Sequence, residues 1–234
     1  WTKADGEELY KYLRTLDVGV ITNERLKRDT GIGDIDVREN SVVSSATDSY
    51  VESCMTLNNT WGFSKYDHNW KSADQVVDML VQCASNGGNL ILNIGPKGDG
   101  SVPKETEDIL KESGEWVKIH ADSIYGTKGS CMQKLPTGVR MTTKEGKAYL
   151  HLTTQFYNDI MIPRFENKIT DMKILGTGEK VTYSLSAEKT YIRLSDITQD
   201  VYDTVIEIDM EGIPKQLVTS SMTNLAVTAK TVTG

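Results

Sequence analysis

One stretch of this sequence concentrates the side chains that sugar recognition uses. It runs Val51-Glu-Ser-Cys-Met-Thr-Leu-Asn-Asn-Thr-Trp-Gly-Phe63 and continues in Tyr66-Asp-His-Asn-Trp-Lys-Ser72. The pattern predicts one carboxylate, Glu52, on a strand that leads into a loop carrying Trp61, Phe63, Tyr66 and Trp70. The C–H faces of a sugar stack on aromatic rings, while its hydroxyls need carboxylates and amides. A carboxyl set among aromatic rings is also the kind of group that serves as a general acid. The bland alternative is a solvated strand glutamate beside aromatics that merely pack, and the residue pattern by itself leans that way. His68 is read either as a sugar contact or as an exposed loop residue.

Other motifs carry less. Gly95-Pro-Lys-Gly-Asp-Gly100 lacks the Gly-Lys-Ser/Thr ending of a phosphate loop. Asp34-Ile-Asp36 has no further calcium-loop positions after it, so a solvated loop is expected. Asn58-Asn-Thr60 is formally a glycosylation sequon, yet it lies inside the aromatic loop. Cys54, Cys83 and Cys131 are too few for a disulfide framework, and none forms a CxxC pair.

The elements that must position these residues fall into two halves of the 234-residue chain. Asp5 with Glu8 has the spacing of a capping box, and Leu9, Leu13 and Leu16 then recur at helical spacing. Val18–Thr22 reads as a short strand, and the polar passage from Asn23 to Tyr50 as a long loop. Val51–Leu57 reads as a second strand. Ser72 with Gln75 starts a helix that Asn86-Gly87-Gly88 ends. Asn89–Ile94 has the near-continuous apolar pattern of a strand buried on both faces, and Pro103 suits the start of a helix to about Lys118. After Tyr125 the helical period fades. Val139–Thr143, Ala148–Thr153, Met172–Leu175, Tyr191–Leu194 and Val205–Ile208 read as short strands, with a hairpin turn at Lys144-Glu-Gly-Lys147. Helix–strand alternation followed by strands alone implies a parallel α/β half and an all-β half.

The net charge of −7 and a pI near 5.1 argue against binding nucleic acid or an anionic membrane through bulk charge. No apolar run approaches the roughly 20 residues of a membrane span, which predicts a soluble protein. The chain opens on Trp1 without a signal peptide, so the natural start is expected to lie upstream.

Several ordered motifs resemble one family. V-E-S-C-M-T-L-N-N-T-W-G-F is similar to the "W-E-x-C-x-T…W-G-Y" segment of the family 29 glycoside hydrolases, the α-L-fucosidases, with Val51 where many members have Trp. Gly87-Gly-Asn-Leu-Ile-Leu-Asn-Ile-Gly-Pro96 with Asp99-Gly100 resembles the "GGNLLLNIGP…DG" signature, and Gly114-Glu-Trp116 with Ser123-Ile-Tyr-Gly-Thr127 resembles its "G-x-W…IYGT" continuation. The resemblance implies the C-terminal half of a (β/α)8-like barrel over residues 1–127, followed by an antiparallel β-sandwich over 128–234. It also implies a retaining exo-glycosidase that removes terminal α-L-fucose from fucosylated glycans without a metal or organic cofactor.

Under that resemblance Glu52 matches a family acid/base residue. Arg25, in Ile21-Thr-Asn-Glu-Arg25, resembles the arginine of "I-N-N-R", where a guanidinium donates to sugar hydroxyls or holds a carboxylate in place. Trp61 and Trp70 are expected either to wall the fucose ring or to pack behind it. The family's nucleophile sits in a "W-F-D-G" segment, and nothing in this sequence matches it. A truncated chain, a partner chain bearing the N-terminal half, or another carboxylate recruited from Asp34, Asp36, Asp48 or Asp67 would account for that. A homo-oligomer is a further possible partner, and a secreted, periplasmic or lysosomal location follows by family analogy. The competing readings are a non-catalytic fucose-binding module and an inert fragment.

Overall fold

The first helix, α1 (Lys3–Leu16), is capped by Thr2 rather than by Asp5. The Thr2 hydroxyl accepts the Asp5 amide at 3.3 Å, and the Asp5 carboxylate accepts the Thr2 amide at 2.6 Å. Asp5 thus takes the third helical position of the capping box instead of the cap. The computed structural model describes residues 1–47 and 49–218. The chain divides into two compact units, Trp1–Val117 and Lys118–Gly234.

In the first unit the expected strand at Val18–Thr22 does not form. Val18 and Ile21 are 83% and 71% exposed, and the Val18 carbonyl accepts Arg14 Nη1 at 2.8 Å instead of a strand neighbour. A strand appears where a loop was expected: β1 (Asp36–Glu39) pairs in parallel with β2 (Val51–Thr56), Asp36 opposite Val51 and Glu39 opposite Cys54. The helix α2 (Ala73–Ser85) starts as expected, with Ser72 and Gln75 forming a reciprocal capping box. Gly87 follows it at φ 79°, a conformation that favours glycine. β3 (Asn89–Asn93) then lies parallel to β2, which gives the sheet order β1-β2-β3, and α3 (Lys104–His120) follows.

β3 is not buried on both faces. Leu90 and Leu92 pack with Met55, Leu57, Val76 and Met79, while Ile91 is 47% exposed on the other side. Period-two alternation sends Met55 and Leu57 toward α2 and leaves Glu52, Cys54 and Thr56 on the opposite face.

In the second unit the strands are β4 (Val139–Lys144), β5 (Lys147–Leu152), β6 (Ile160–Pro163), β7 (Ile169–Ile174), β8 (Tyr183–Leu185), β9 (Lys189–Ile192) and β10 (Thr204–Met210). They form two antiparallel sheets, ordered β4-β5-β10-β7 and β6-β9-β8. The expected hairpin joins β4 to β5 through Glu145-Gly146, with Gly146 at φ 76°. Met141, Leu150, Leu152, Ile206 and Ile208 from one sheet share a core with Ile160, Ile162 and Ile192 from the other. Within this unit the Thr142 hydroxyl donates to the Ser123 carbonyl at 2.6 Å.

Two buried polar features mark this unit. His151 Nδ1 lies 2.6 Å from Asp203 Oδ2, with both side chains essentially inaccessible, and His151 Nε2 lies 3.3 Å from the Thr142 hydroxyl. Thr190, fully buried on β9, has a hydroxyl that meets no hydrogen-bond partner among the described residues. A desolvated hydroxyl without a partner costs stability that an isosteric methyl does not. Thr190→Val is therefore expected to raise stability by about 1 kcal/mol. The urea midpoint should move up with an unchanged m-value, and a lower midpoint would contradict this.

Candidate active site

The carboxyl ends of β2 and β3 are held together by side chains as well as by backbone. Asn93, the last residue of β3, donates from Nδ2 to the Thr56 hydroxyl at 3.1 Å and to the Trp61 carbonyl at 2.7 Å. Thr56, the last residue of β2, donates to the Thr60 carbonyl at 3.0 Å, and Lys71 Nζ donates to the Thr56 carbonyl at 2.6 Å. The aromatic loop from Leu57 to Trp70 therefore begins and ends at this end of the sheet. Trp61 is half-buried there. Trp70 packs against the cluster of Leu57, Val76 and Met79. Phe63 and Tyr66 are exposed, with Lys97 Nζ 5.7 Å over the first ring and Lys65 Nζ 4.8 Å over the second. His68 is exposed as well.

The aspartates considered as recruited nucleophiles have structural partners. The Asp67 carboxylate accepts the Asn59 amide at 2.8 Å, the Asn69 amide at 3.2 Å and the Thr60 hydroxyl at 3.2 Å. Desolvation pushes its pKa up, but the amide hydrogen bonds outweigh that and hold it below 3.8. Asp34 accepts the Thr22 amide and hydroxyl at 2.7 and 2.9 Å and the Tyr10 hydroxyl at 2.9 Å, and it pairs with Arg14. The Thr22 amide is the main cause of its lowered pKa, against an opposing desolvation. Asp36 accepts the Ser49 hydroxyl at 3.0 Å, and Asp48 lies outside the described residues.

A carboxyl whose folded pKa is depressed contributes stability that is complete above the unfolded value and is lost as pH falls through the folded value. For Asp34 and Asp67 the loss begins below 3.8. Urea midpoints at about pH 6 and about pH 3 should show the wild type weakening toward acid. The double variant Asp34→Asn, Asp67→Asn should show a smaller acid difference. An unchanged difference would mean that these two carboxyls do not carry it.

Glu52 and Glu39 stand at different heights on the open sheet face, two residues apart by register. Glu52 is half-buried, the second residue of β2, and sits opposite Asn89, the first residue of β3. At about 3.3 Å per residue its Cα lies roughly 13 Å below Thr56 and the aromatic loop. The structure therefore does not bring Glu52 into that loop. Glu39 is the last residue of β1 and lies opposite Cys54. Its Oε2 accepts Arg25 Nη2 at 2.7 Å and lies 3.7 Å from Arg28 Nη2, in an ion pair left about 40% exposed.

Arg25 is set by a short 3-10 turn, Glu24–Leu26, whose start is capped by the Asn23 side chain accepting the Arg25 amide at 3.1 Å. Of the two uses expected for Arg25, this arrangement is the carboxylate-holding one. Glu39 was not singled out in the sequence, because the rule that ligands bind at the carboxyl ends of parallel strands needs β1 to be recognised first. The Asn23-Glu-Arg25 turn fifteen or so residues upstream was the available signal.

The comparisons agree with the motif reading. A family model described as "Alpha-L-fucosidase" matches residues 1–122. An alpha-L-fucosidase of Dictyostelium discoideum is 31% identical over 148 residues, covering 59% of this chain and 32% of the relative. The plasma alpha-L-fucosidase of Homo sapiens is 28% identical over 158 residues, covering 63% of this chain and 34% of the relative.

Among solved structures, alpha-L-fucosidase isoenzyme 1 from Paenibacillus thiaminolyticus superposes with a TM-score of 0.81 at 28% identity, covering 89% of this chain and 54% of that one. A trapped covalent intermediate of an alpha-L-fucosidase from Bacteroides thetaiotaomicron superposes at 0.79 with 22% identity, covering 88% and 52%, and shows the shared fold. The chain thus spans about a third of these curated relatives and about half of these solved structures. With the family model matched over more than half its length, the chain belongs to the alpha-L-fucosidase family.

Proposed function

We propose that this chain supplies the C-terminal part of a retaining α-L-fucosidase, with Glu39 held by Arg25 at its reacting end. The observation that carries this reading is the placement of that ion pair at the carboxyl end of a parallel strand, where β/α enzymes hold their ligands. Residues 1–127 are then the later half of a (β/α)8-like barrel, and 128–234 a sandwich domain. The nucleophilic aspartate comes from an N-terminal part of the barrel or from a partner chain, and a homo-oligomer is the other way to complete the site. The substrate is a glycan ending in α-L-fucose, and the compartment is secreted, periplasmic or lysosomal.

In such a reaction the nucleophile attacks the anomeric carbon while Glu39, protonated, gives its proton to the departing glycosidic oxygen. Glu39 then takes a proton from water as that water displaces the enzyme carboxylate and frees fucose. Arg25 would hold this carboxylate in place through its single Nη2–Oε2 contact at 2.7 Å. Trp61 lies on the loop at the same end and would contact the sugar ring, whereas the packing of Trp70 suits a supporting position. Glu52 remains a candidate for the acid/base role, and a test must separate the two glutamates.

The test of the reaction is hydrolysis of an aryl α-L-fucoside by the whole protein, followed by proton NMR of the first-formed sugar. α-L-Fucose appearing first is the expected result. Initial release of the β anomer, or no hydrolysis beside hydrolysis of other aryl glycosides, would overturn the reading.

A further inference from the structure

We propose that the outer face of the β6-β9-β8 sheet binds one pyranose ring of a neutral glycan. The face presents two cross-strand rows. In the first, Tyr191 on the central strand lies between Met161 on β6 and Ser184 on β8. Tyr191 and Met161 are 44% and 46% exposed, although both stand within a sheet whose other face is core. Large apolar side chains left open in mid-sheet give a flat platform on which the C–H face of a sugar can stack.

The second row lies two residues further along β9. Arg193 donates its amide to the Thr182 carbonyl at 2.9 Å, and Asp159, just before β6, falls opposite Arg193 by the same antiparallel register. A carboxylate, a guanidinium and a threonine therefore flank the aromatic row, at about 7 Å along the strand. That spacing matches the polar rim of a pyranose lying on the ring.

The polar row is built and available. Asp159 Oδ1 accepts the Leu194 amide at 2.9 Å, which fixes the carboxylate, and a carboxylate has a second oxygen for a sugar hydroxyl. Among the described residues Arg193 has only a loose ion pair with Asp196 at 3.7 Å, both side chains being more than half exposed, and water competes readily with such a pair. Arg193 faces carboxylates at Asp159 and Asp196, so the rim carries no excess positive charge for an anion and favours hydroxyls. Asp159, Thr182, Tyr183, Ser184, Tyr191 and Arg193 line a cleft of about 230 Å³. That is below the size of sites for larger ligands and fits one ring rather than an extended chain.

The test uses the 234-residue chain with methyl β-D-galactopyranoside and methyl α-L-fucopyranoside as probes, read by amide NMR shifts. At least one sugar should shift the resonances of residues 182–184 and 191–193 with saturable, millimolar affinity. Tyr191→Ala should weaken that binding by at least about tenfold. Tyr191→Phe should retain it, and Asp159→Asn, which keeps an oxygen for the Leu194 amide, should weaken it several-fold. No shifts at these residues, or undiminished binding by Tyr191→Ala, would overturn the proposal. Because binding is read without turnover, failure here leaves the hydrolytic reading intact, and failure of that reading leaves this one intact.

Discussion

Replacing Glu39 by Gln is expected to lower kcat/KM of the whole protein on an unactivated α-L-fucoside by about 10²–10⁴-fold. Glutamine keeps the shape and can still face Arg25, but it cannot deliver or accept the proton. The loss should shrink on an aryl fucoside with a good leaving group, which needs little protonation to depart. Azide should then restore turnover on that substrate, since an anionic nucleophile needs no general base. The same substitution at Glu52 should change kcat/KM by less than about tenfold.

The reason for the contrast is position. Glu39 ends β1 beside Arg25, whereas Glu52 lies near the start of β2, level with the first residue of β3. A thousandfold loss with azide rescue in Glu52→Gln, beside a near-normal Glu39→Gln, would reverse the assignment.

Replacing Asp203 by Ala is expected to destabilise the second unit by about 3–5 kcal/mol. The estimate rests on complete burial: Asp203 Oδ2 lies 2.6 Å from His151 Nδ1, and neither side chain reaches solvent. Removing one partner of a buried, hydrogen-bonded pair strands the other in a medium that cannot solvate it. The strain passes along a chain of contacts. His151 reaches the Thr142 hydroxyl at 3.3 Å, and that hydroxyl already donates to the Ser123 carbonyl at 2.6 Å.

Urea unfolding followed by far-UV dichroism should show the midpoint of Asp203→Ala falling steeply. The double variant Asp203→Ala, His151→Leu should recover part of the loss, because it removes the stranded group. A loss below about 1 kcal/mol in the single variant would show that the pair contributes little.

Much of the local structure was legible because it is decided within a few residues. The Ser72–Gln75 capping box, the apolar period of α2 and the Glu145-Gly146 turn are short-range devices, and each forms where its residues stand. The first capping box is also present, but two overlapping spacings compete for it. Thr2 and Asp5 share the spacing of Asp5 and Glu8, and only the bonds made by the folded backbone distinguish them.

Non-local pairing was not legible. β1 reads Asp-Val-Arg-Glu, without apolar alternation, and exists because Val51–Cys54 lies alongside it in parallel. Val18–Thr22 has the apolar pattern of a strand, yet Arg14 takes the Val18 carbonyl and no ladder forms. The motif Glu52 was conspicuous for its neighbours in the chain, although a strand carries residues four apart to positions about 13 Å apart. Glu39 was inconspicuous because its partner, Arg25, meets it only after the turn at Glu24–Leu26 and β1 are both in place.

The sequence by itself determined the family, the start of α2 and the division into a parallel α/β half and an antiparallel half, since motifs and periodicity are properties of the chain. The tertiary structure alone brought Glu39 to Arg25 at the carboxyl end of β1. Strand register and the direction of the ladder, not residue type, set the distance between one side chain and another.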